Sequence, residues 1–307
     1  MLDNICNKLF CDGEWILAIS DDKNAITKIL NGNRMHMDII SGNIDSWYAD
    51  PFLIKNSGRY YIFAEEYDKK KCKGSIAVAE YKNDKCLNFR KIIENTYHMS
   101  YPCVFAKKNK YYMIPETSEN NTIEIYECIE FPYIWVKKKN LLNNVFAVDV
   151  TYFYDEQNDY LISYNGKNEV TKYKLDCDTW EVQIKDKVYV PTNIGRGAGN
   201  IIKYSNNFFR PIQDCRHLYG EKVCINEIVK NSKDLFLERE FCEFDCSKII
   251  LNLNVNGKRI HTINICDEKL IVDLRVDSYS FRNFINKLYK KIMVSKRKLG
   301  QKGMNRL

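Results

Sequence analysis

The sequence predicts an all-β protein, a five-bladed β-propeller followed by a short C-terminal amphipathic helix. One phrase recurs with a period of roughly 50 residues, which is typical of propeller repeats. Each copy has a small or acidic entry, an apolar strand, a polar turn, and an aromatic strand that ends on acidic or amide residues. The clear copies span residues 50–66, 101–116, 149–165 and 199–214. Composition agrees, because 21 Tyr and 15 Phe in 307 residues favour strands over helices.

Two strands are expected before the first repeat, at Glu14–Ile19 and Ala25–Leu30, because the segment Asp21–Asn24 between them has a turn composition. A weaker fifth copy of the phrase spans residues 259–273. The N-terminal strands would close the ring against this last blade. Closure would remove the exposed strand edges that otherwise invite aggregation.

Outer strands follow the phrase in the first three blades. Period-two alternation predicts them at Gly74–Tyr81, Thr122–Cys128 and Glu169–Leu175. A two-sheet sandwich is the alternative architecture, and the regular period favours the propeller. Residues 1–278 are therefore assigned to the propeller and residues 279–307 to a separate tail.

The tail has a helical period and a strong charge. Its apolar residues fall on one helical stripe, at Phe281, Phe284, Ile285, Leu288, Ile292 and Met293. Residues 281–307 carry nine Lys and Arg and no acid, so removing them from the net charge of +7 leaves −2 for residues 1–280. Such a helix either lies on an anionic membrane surface or docks on the propeller with a solvated basic face, and the lack of acids favours the membrane. The nearly neutral body argues against a nucleic-acid partner.

The cysteine pattern predicts a reducing compartment. Twelve cysteines are present, but no CxxC pair occurs and several lie within apolar strands, where a thiol behaves as a small hydrophobe. The first residues lack the basic and apolar regions of a secretory signal, and no apolar run approaches the roughly 20 residues that span a bilayer. We expect a cytoplasmic protein, with the basic tail at the inner face of the membrane.

Radial repeats bring equivalent positions to one axis, and acidic residues recur at these positions. Asp50, Glu116, Asp149 and Asp214 are the candidate catalytic residues, with Glu66 nearby as a substrate ligand. A base or nucleophile paired with a protonated acid is what chemistry at an anomeric carbon requires. Asp50 precedes a proline and also fits an ordinary turn, whereas Asp149 lies among apolar residues and needs either a partner or a site.

Other residues near the repeat entries are candidate substrate ligands. Arg196 lies in a glycine-rich turn, where Arg and backbone N–H groups can hold an anion. The remaining candidates are Tyr101, His98, Arg210, Gln213 and His261. The alternative for each histidine is an ordinary loop position, and for the glycines a tight turn between blades. No histidine pair has zinc-ligand spacing, so no metal site and no cofactor are predicted, and a divalent ion at the axis stays open.

Several motifs together resemble one family. They are Asp50-Pro-Phe, Phe63-Ala-Glu-Glu, Tyr97-His-Met-Ser-Tyr-Pro, Met113-Ile-Pro-Glu-Thr, Val148-Asp-Val-Thr and Arg210-Pro-Ile-Gln-Asp-Cys. The chain resembles, over about residues 14–265, a bacterial family similar to the N-terminal domain of plant glucosamine inositolphosphorylceramide transferases. That family is similar to the five-bladed propellers of arabinanases, xylosidases and invertases.

The resemblance implies roles for the acids. Asp50 would be the base or nucleophile. Asp149 would be the aspartate with a stabilising or pKa-tuning role. The hydrolases place their acid, a Glu, on the fourth blade, where this chain has Gln213-Asp214, so Glu116 and then Asp214 become the candidate acids. The plant proteins also carry a separate transferase domain, which nothing here resembles.

The sequence therefore predicts a carbohydrate-active protein. The leading interpretation is transfer of a sugar from an activated donor onto a polysaccharide or lipid-linked acceptor in cell-surface glycan assembly. A glycoside hydrolase that uses the same carboxylates is the second interpretation, and a non-catalytic glycan-binding propeller is the third.

Overall fold

The computed structural model describes residues 11–40, 45–82, 84–230, 236–252 and 257–279. The N-terminal part contains β1 (Cys11–Ser20), helix α1 (Ala25–Leu30) and β2 (Met35–Ile40). The next strands are β3 (Ser46–Asn56), β4 (Arg59–Asp68), β5 (Lys73–Lys82), β6 (Lys85–Cys86), β7 (Arg90–Ile93), β8 (Ser100–Lys107), β9 (Lys110–Thr117), β10 (Thr122–Glu130) and β11 (Ile134–Asn143). They are followed by β12 (Val148–Tyr154), β13 (Asp159–Tyr164), β14 (Glu169–Asp176), β15 (Glu181–Tyr189), β16 (Ile194–Gly197), β17 (Ile202–Tyr204), β18 (Asn207–Asp214), β19 (Lys222–Lys230) and β20 (Phe236–Phe244). The last are β21 (Ile249–Leu251), β22 (Arg259–Cys266) and β23 (Lys269–Tyr279), and short 3₁₀ turns lie at Ser118–Asn120 and Cys246–Lys248.

The strands form five sheets, which are the five predicted blades. Blade 1 contains β3 to β7, blade 2 β8 to β11, blade 3 β12 to β15 and blade 4 β16 to β20. Blade 5 has the order β22-β23-β1-β2-β21 and so combines strands from both ends of the described chain. β1 pairs antiparallel with β23 along its whole length, from Cys11 opposite Tyr279 to Ser20 opposite Leu270. The predicted closure of the ring by an N-terminal strand is confirmed.

One predicted strand is wrong, because Ala25–Leu30 forms the helix α1. Ala25, Ile29 and Leu30 are buried on one face of it, which is helical spacing. A six-residue stretch with several apolar residues fits both periods, so periodicity alone does not separate helix from strand. The second N-terminal strand is instead β2, in which Met35 and Met37 are buried and His36 and Asp38 are exposed.

The hydrophobic core lies between the blades, in five clusters that each fill one interface. Phe52 and Met113 belong to the cluster between blades 1 and 2, Ile114 and Leu161 to that between blades 2 and 3, and Phe153 to that between blades 3 and 4. The other two clusters pack blade 5 against blades 4 and 1. Burying each such large apolar side chain contributes about 1.5–3 kcal/mol. The blades are therefore held to one another mainly by apolar packing.

The expected amphipathic helix, residues 281–293, and the start of the tail beyond Tyr279 lie outside the described residues. None of the helices in the described ranges combines the length and the hydropathy that a bilayer crossing requires.

Candidate active site

The innermost strand of each blade meets its neighbour through an irregular pairing, and this irregularity builds the site. In blades 1, 2, 3 and 5 the register shifts around two residues, which begin with Asp50, Tyr101, Asp149 and His261. A β-bulge of this kind turns side chains out of the normal alternation and bends the strand. Three of these residues also have positive φ angles, 50° for Asp50, 45° for Tyr101 and 49° for Asp149. In four of the five blades the repeat therefore places a residue with an irregular backbone on the innermost strand.

Asp50 is linked to blades 2 and 5. Its carboxylate accepts the N–H of Tyr101 at 3.2 Å, and its Oδ1 lies 3.4 Å from Nε2 of His261. Its own N–H donates to Oδ2 of Asp273 at 2.9 Å. The side chain is buried, yet it lines the axial cavity. Asp50 is thus fixed on both sides while one face remains open to a ligand.

His261 and Asp273 form the support behind Asp50. Nδ1 of His261 lies 2.7 Å from Oδ2 of Asp273, and the ring stacks on Trp15 with centroids 3.9 Å apart. Burial alone would raise the pKa of Asp273, but His261 and the N–H of Asp50 hold it below its ordinary value. Burial acts to lower the pKa of His261, and the carboxylates of Asp273 and Asp50 outweigh it and raise that pKa. A charged histidine between two carboxylates therefore fits this site.

Asp149 and Glu116 form a second acidic group, tied to blade 4. Nε of Arg196 donates to Asp149 at 2.6 Å, and Nε2 of Gln213 donates to the same carboxylate at 3.0 Å. Glu116 accepts the N–H of Asp149 at 3.1 Å and the hydroxyl of Ser118 at 2.7 Å. Nη2 of Arg196 also lies 3.5 Å from Glu116. The carboxylate of Asp149 accepts these hydrogen bonds outside the cavity lining, whereas Glu116 and Arg196 line the cavity.

Glu65 is an acidic residue of the cavity that was not predicted from the sequence. It lies on β4 opposite Ala49, as Glu116 on β9 lies opposite Ser100. Its Oε1 lies 3.3 Å from Nε2 of His98, and both side chains line the cavity. The match to Glu116 in the repeat was available from the sequence. The neighbouring Glu66 was predicted instead, and successive side chains of a strand point to opposite faces, so the two glutamates cannot both face the axis.

The cavity has a volume of about 410 Å³, within the range of small-molecule sites. Its aromatic walls are also absent from the sequence prediction. Trp47 stacks on Tyr67 with centroids 4.4 Å apart and planes at 8°, while Trp15 and Tyr219 lie on the side of His261. Flat aromatic faces beside several carboxylates suit a ligand that has both apolar and hydroxyl-bearing surfaces.

Burial in the site raises the pKa of three carboxyl groups, those of Asp50, Asp149 and Glu65. Burial raises the pKa of Asp50 to about 7 against the opposing effect of His261. Burial also raises the pKa of Asp149 to about 7, with Arg196 opposing and Glu116 adding to the rise. For Glu65, burial and then the charges of Asp50 and Glu116 raise the pKa well above its ordinary value. A basic neighbour opposes the rise at Asp50 and at Asp149, whereas burial and the nearby acids all raise the pKa of Glu65, so Glu65 is the member best suited to keep a proton.

Several predicted site residues do not line the cavity. Asp214 is bound by Arg216 at 2.8 Å and lies 3.7 Å from Lys222, outside the cavity lining and not at the expected place beside the other acids. Glu66 accepts the hydroxyl of Ser46, and it too is absent from the cavity lining.

Three further candidates have structural contacts in place of the expected contact with a ligand. The ring of Tyr101 is fully buried, and its hydroxyl contacts Thr151 at 2.8 Å and the backbone of Gly199. Arg210 pairs with Glu238 at 3.0 Å and lines a separate cleft between blades 3 and 4. Gln213 is buried against Asp149, so it acts on the site only through that residue.

A metal ion could also be held beside the cavity, by Asp50, His261 and Asp273. One ligand atom from each of them lies within 4.8 Å of the others. Asp273 already contacts His261 and accepts the N–H of Asp50. An ion bound there would have to replace the contact between His261 and Asp273. A second set in the described part of the chain, Asp214, Cys224 and Glu243, lies away from the cavity lining.

Fold and site together define a five-bladed propeller with a carboxylate-lined axial cavity. The chain belongs to the family described as "Glucosamine inositolphosphorylceramide transferase 1, N-terminal", whose model matches residues 24–271. It is 28% identical over 214 residues to glucosamine inositolphosphorylceramide transferase 1 of Arabidopsis thaliana, which covers 65% of this chain and 28% of that protein. The protein of the same name from Oryza sativa subsp. indica is 26% identical over 209 residues, again with 28% of its length covered. The chain thus spans less than a third of the curated relatives it matches.

Solved structures show the same fold at low sequence identity. An α-L-arabinofuranosidase from Podospora anserina superposes with a TM-score of 0.57 at 10% identity, covering 73% of this chain and 79% of that one. The arabinanase Arb43A of Bacillus subtilis gives a TM-score of 0.55 at 12% identity, covering 74% and 93%. At such identities the likeness concerns the fold alone.

Proposed function

We propose that this protein transfers a sugar at its anomeric carbon, from an activated donor to a polysaccharide or lipid-linked acceptor in cell-surface glycan assembly. The observation that supports this most is the placement of Asp50 and Glu65 in one aromatic-walled cavity, because burial raises the pKa of both. Burying carboxyl groups close together destabilises a fold, so a cluster of them around an open cavity indicates a ligand. The transferase name of the relatives supports the choice of reaction.

The geometry suggests a role for each acid. Glu65, which keeps its proton, would protonate the leaving oxygen of the donor as the C–O bond breaks. Asp50 would take the proton of the attacking hydroxyl, or attack the anomeric carbon itself in a two-step reaction. Arg196 holds Asp149 and Glu116 in place.

Glu65 replaces Glu116 as the proposed acid. Both oxygens of Glu116 already accept hydrogen bonds, from Ser118 and from the N–H of Asp149. Within the described residues the polar contact of Glu65 is with His98, and its pKa is raised.

A thermal-shift screen tests the proposal, with nucleotide sugars, other activated sugar donors and simple glycans as ligands. A ligand at 100 times its Kd stabilises the folded state by about 2.7 kcal/mol. We expect an activated donor to raise Tm, and Glu65→Gln to abolish its turnover while binding persists. Glu66→Gln is the matched control, because the adjacent side chain lies outside the cavity lining. Full turnover in Glu65→Gln, or equal loss in both variants, would refute the assigned chemistry.

Glycoside hydrolysis is the second candidate. The chain covers only 28% of the transferase relatives, and its fold is shared with glycosidases. Stabilisation by free glycans alone, with release of free sugar, would establish hydrolysis. Stabilisation by glycans with no turnover would instead indicate a binding module.

The cytoplasmic location and the membrane contact of the basic tail are proposed from the sequence alone. Nine basic residues without an acid would attract an anionic surface. Flotation with phosphatidylglycerol vesicles measures this, and equal binding to neutral vesicles would contradict it.

A further inference from the structure

Gly74 fixes the tautomer of His98. The N–H of Gly74 donates to Nδ1 of His98 at 3.0 Å, and the carbonyl of Gly74 accepts the N–H of Met99 at 3.1 Å. A ring nitrogen that accepts a hydrogen bond carries no proton, so the neutral imidazole has its proton on Nε2. The clamp between Gly74 and residues 98–99 therefore selects which nitrogen of His98 is a donor.

That donor faces Glu65. Nε2 of His98 lies 3.3 Å from Oε1 of Glu65, a contact without the alignment of a full hydrogen bond. Oε1 is completely enclosed, and a Cβ at position 74 would lie 2.4 Å from it and 2.8 Å from the ring of His98. Only glycine at position 74 allows the two groups to meet. The ring of His98 itself is about one-third exposed, at 32%, and lines the cavity.

We propose that His98 is the positioning residue of Glu65. The Nε2–H group faces the enclosed Oε1, so the acidic proton of Glu65 lies on Oε2. The same N–H group stabilises the carboxylate that remains once this proton has moved. This inference rests on the proposed function, in which Glu65 is the acid.

The reaction step is simple in its balance. The C–O bond of the donor breaks with its electron pair on the leaving oxygen, which takes the proton from Oε2 of Glu65, while the attacking oxygen of the acceptor or of Asp50 bonds to the anomeric carbon. The electron pair of the O–H bond stays on the Glu65 carboxylate, and His98 keeps both its charge and its proton. Hydrogen bonds of catalytic groups are often long in the free protein and tighten when the charge develops. A contact of 3.3 Å that shortens at that moment fits this behaviour.

The surroundings of Glu65 explain why a neutral donor is suited to the role. Burial is the main cause of its raised pKa, and Asp50, Glu116, Asp273 and Asp149 add to the rise. A new carboxylate among these acids is strongly disfavoured. A neutral N–H group lowers this penalty without contributing a second titrating charge.

The experiment is a titration of the ligand-free protein with ¹³C-labelled glutamate carboxyls, followed by NMR. The resonance of Glu65 is the one lost in Glu65→Gln. We expect His98→Leu to raise the apparent pKa of this resonance by about one unit, a tenfold change in ionisation, because a donor to the carboxylate is removed. His98→Gln, which retains an amide N–H, should shift it less. His36→Leu on β2 is the control, since its exposed ring lies in blade 5 and outside the cavity lining.

An unchanged Glu65 titration in His98→Leu, or an equal shift in His36→Leu, overturns the proposal. If His98→Leu does not fold, ¹⁵N shifts of the histidines in the wild-type protein decide. A protonated Nε2 and a bare Nδ1 at His98 support the proposal, and the opposite tautomer overturns it. Both readouts are independent of substrate. A shift in Glu65 without any sugar binding would therefore refute the proposed function alone, and sugar turnover without the shift would refute this inference alone.

Discussion

Two acids of the site, Asp50 and Asp149, lie at positions whose backbone conformation is itself unfavourable. Asp50, Tyr101 and Asp149 have positive φ angles, which cost about 1–3 kcal/mol each outside glycine. The N–H group of each donates to a carboxylate of the site, on Asp273, Asp50 and Glu116 respectively. Acids of the site thus hold the strained backbone in place.

The raised pKa of Asp50 predicts a pH-dependent stability. The ordinary value of 3.8 applies in the unfolded chain, and the folded value is about 7. The folded state therefore binds the proton more tightly, and this contribution is complete below about pH 4 and lost as the pH rises through 7. We expect Asp50→Asn, which is neutral at every pH, to be more stable than the wild type by on the order of 2–4 kcal/mol at pH 8.5 and by much less at pH 5. Urea unfolding at the two pH values measures the difference.

Asp214 is the control of opposite sign. Its hydrogen bond with Arg216 holds the pKa of Asp214 below the ordinary value, so its contribution is present above that value and lost as the pH falls. Asp214→Asn should therefore destabilise the protein near neutral pH. A change in unfolding free energy that is the same at pH 5 and pH 8.5 in Asp50→Asn would contradict the raised pKa.

At this scale the sequence predicted the acids at the blade entries and missed those that depend on geometry. Asp50 and Asp149 were found because the repeat marks their positions. Glu65 was missed because the choice between two successive glutamates depends on which face of β4 meets the axis. Asp273 was missed because its role arises from contacts with His261 and Asp50, more than 200 residues away in the latter case.

Among the elements, blade 5 is the one that local sequence describes least well. Its strands come from both ends of the described chain, and β1 lies between β23 and β2. The repeat phrase predicted β22 and β23, but the segment after β1 was assigned as a strand where the chain forms α1. Packing of Ile29 into the core between blades 4 and 5 decides in favour of the helix, and that contact is not visible in a six-residue window.

The position of β1 predicts a large effect of proline within it. Ala18 is fully buried and pairs with Val272 on one side and Ile39 on the other. Ala18→Pro removes a hydrogen bond inside a central strand and should destabilise the protein by about 3 kcal/mol or more. Lys185→Pro is the control, because Lys185 is exposed and lies at a register shift in β15, the outermost strand of blade 3. Thermal denaturation of the two variants tests this, and similar losses in Tm would refute the closing role of β1.

For the whole molecule, the number of blades followed from the sequence because the period is long and regular. The closure of the ring was also predicted, since an open ring would expose strand edges. The axial site lined by carboxylates was predicted as well, but its aromatic walls were not. They come from Trp15 on β1, Trp47 on β3 and Tyr219 in the turn between β18 and β19. A surface assembled from such distant segments has no periodic signal in the chain.

Ring closure predicts that the blades unfold together. The four tryptophans of the sequence lie in different blades, Trp15 in blade 5, Trp47 in blade 1, Trp135 in blade 2 and Trp180 in the turn before β15 of blade 3. An open repeat array has free ends that unfold first, whereas each blade of this ring packs against two neighbours. Four variants that each keep one tryptophan, with the other three replaced by Phe, should therefore show the same urea midpoint by fluorescence. In the Ala18→Pro background the midpoint reported by Trp15 should fall below the other three. Distinct midpoints in the intact ring would mean that the blades unfold independently, and closure would then contribute little to its cooperativity.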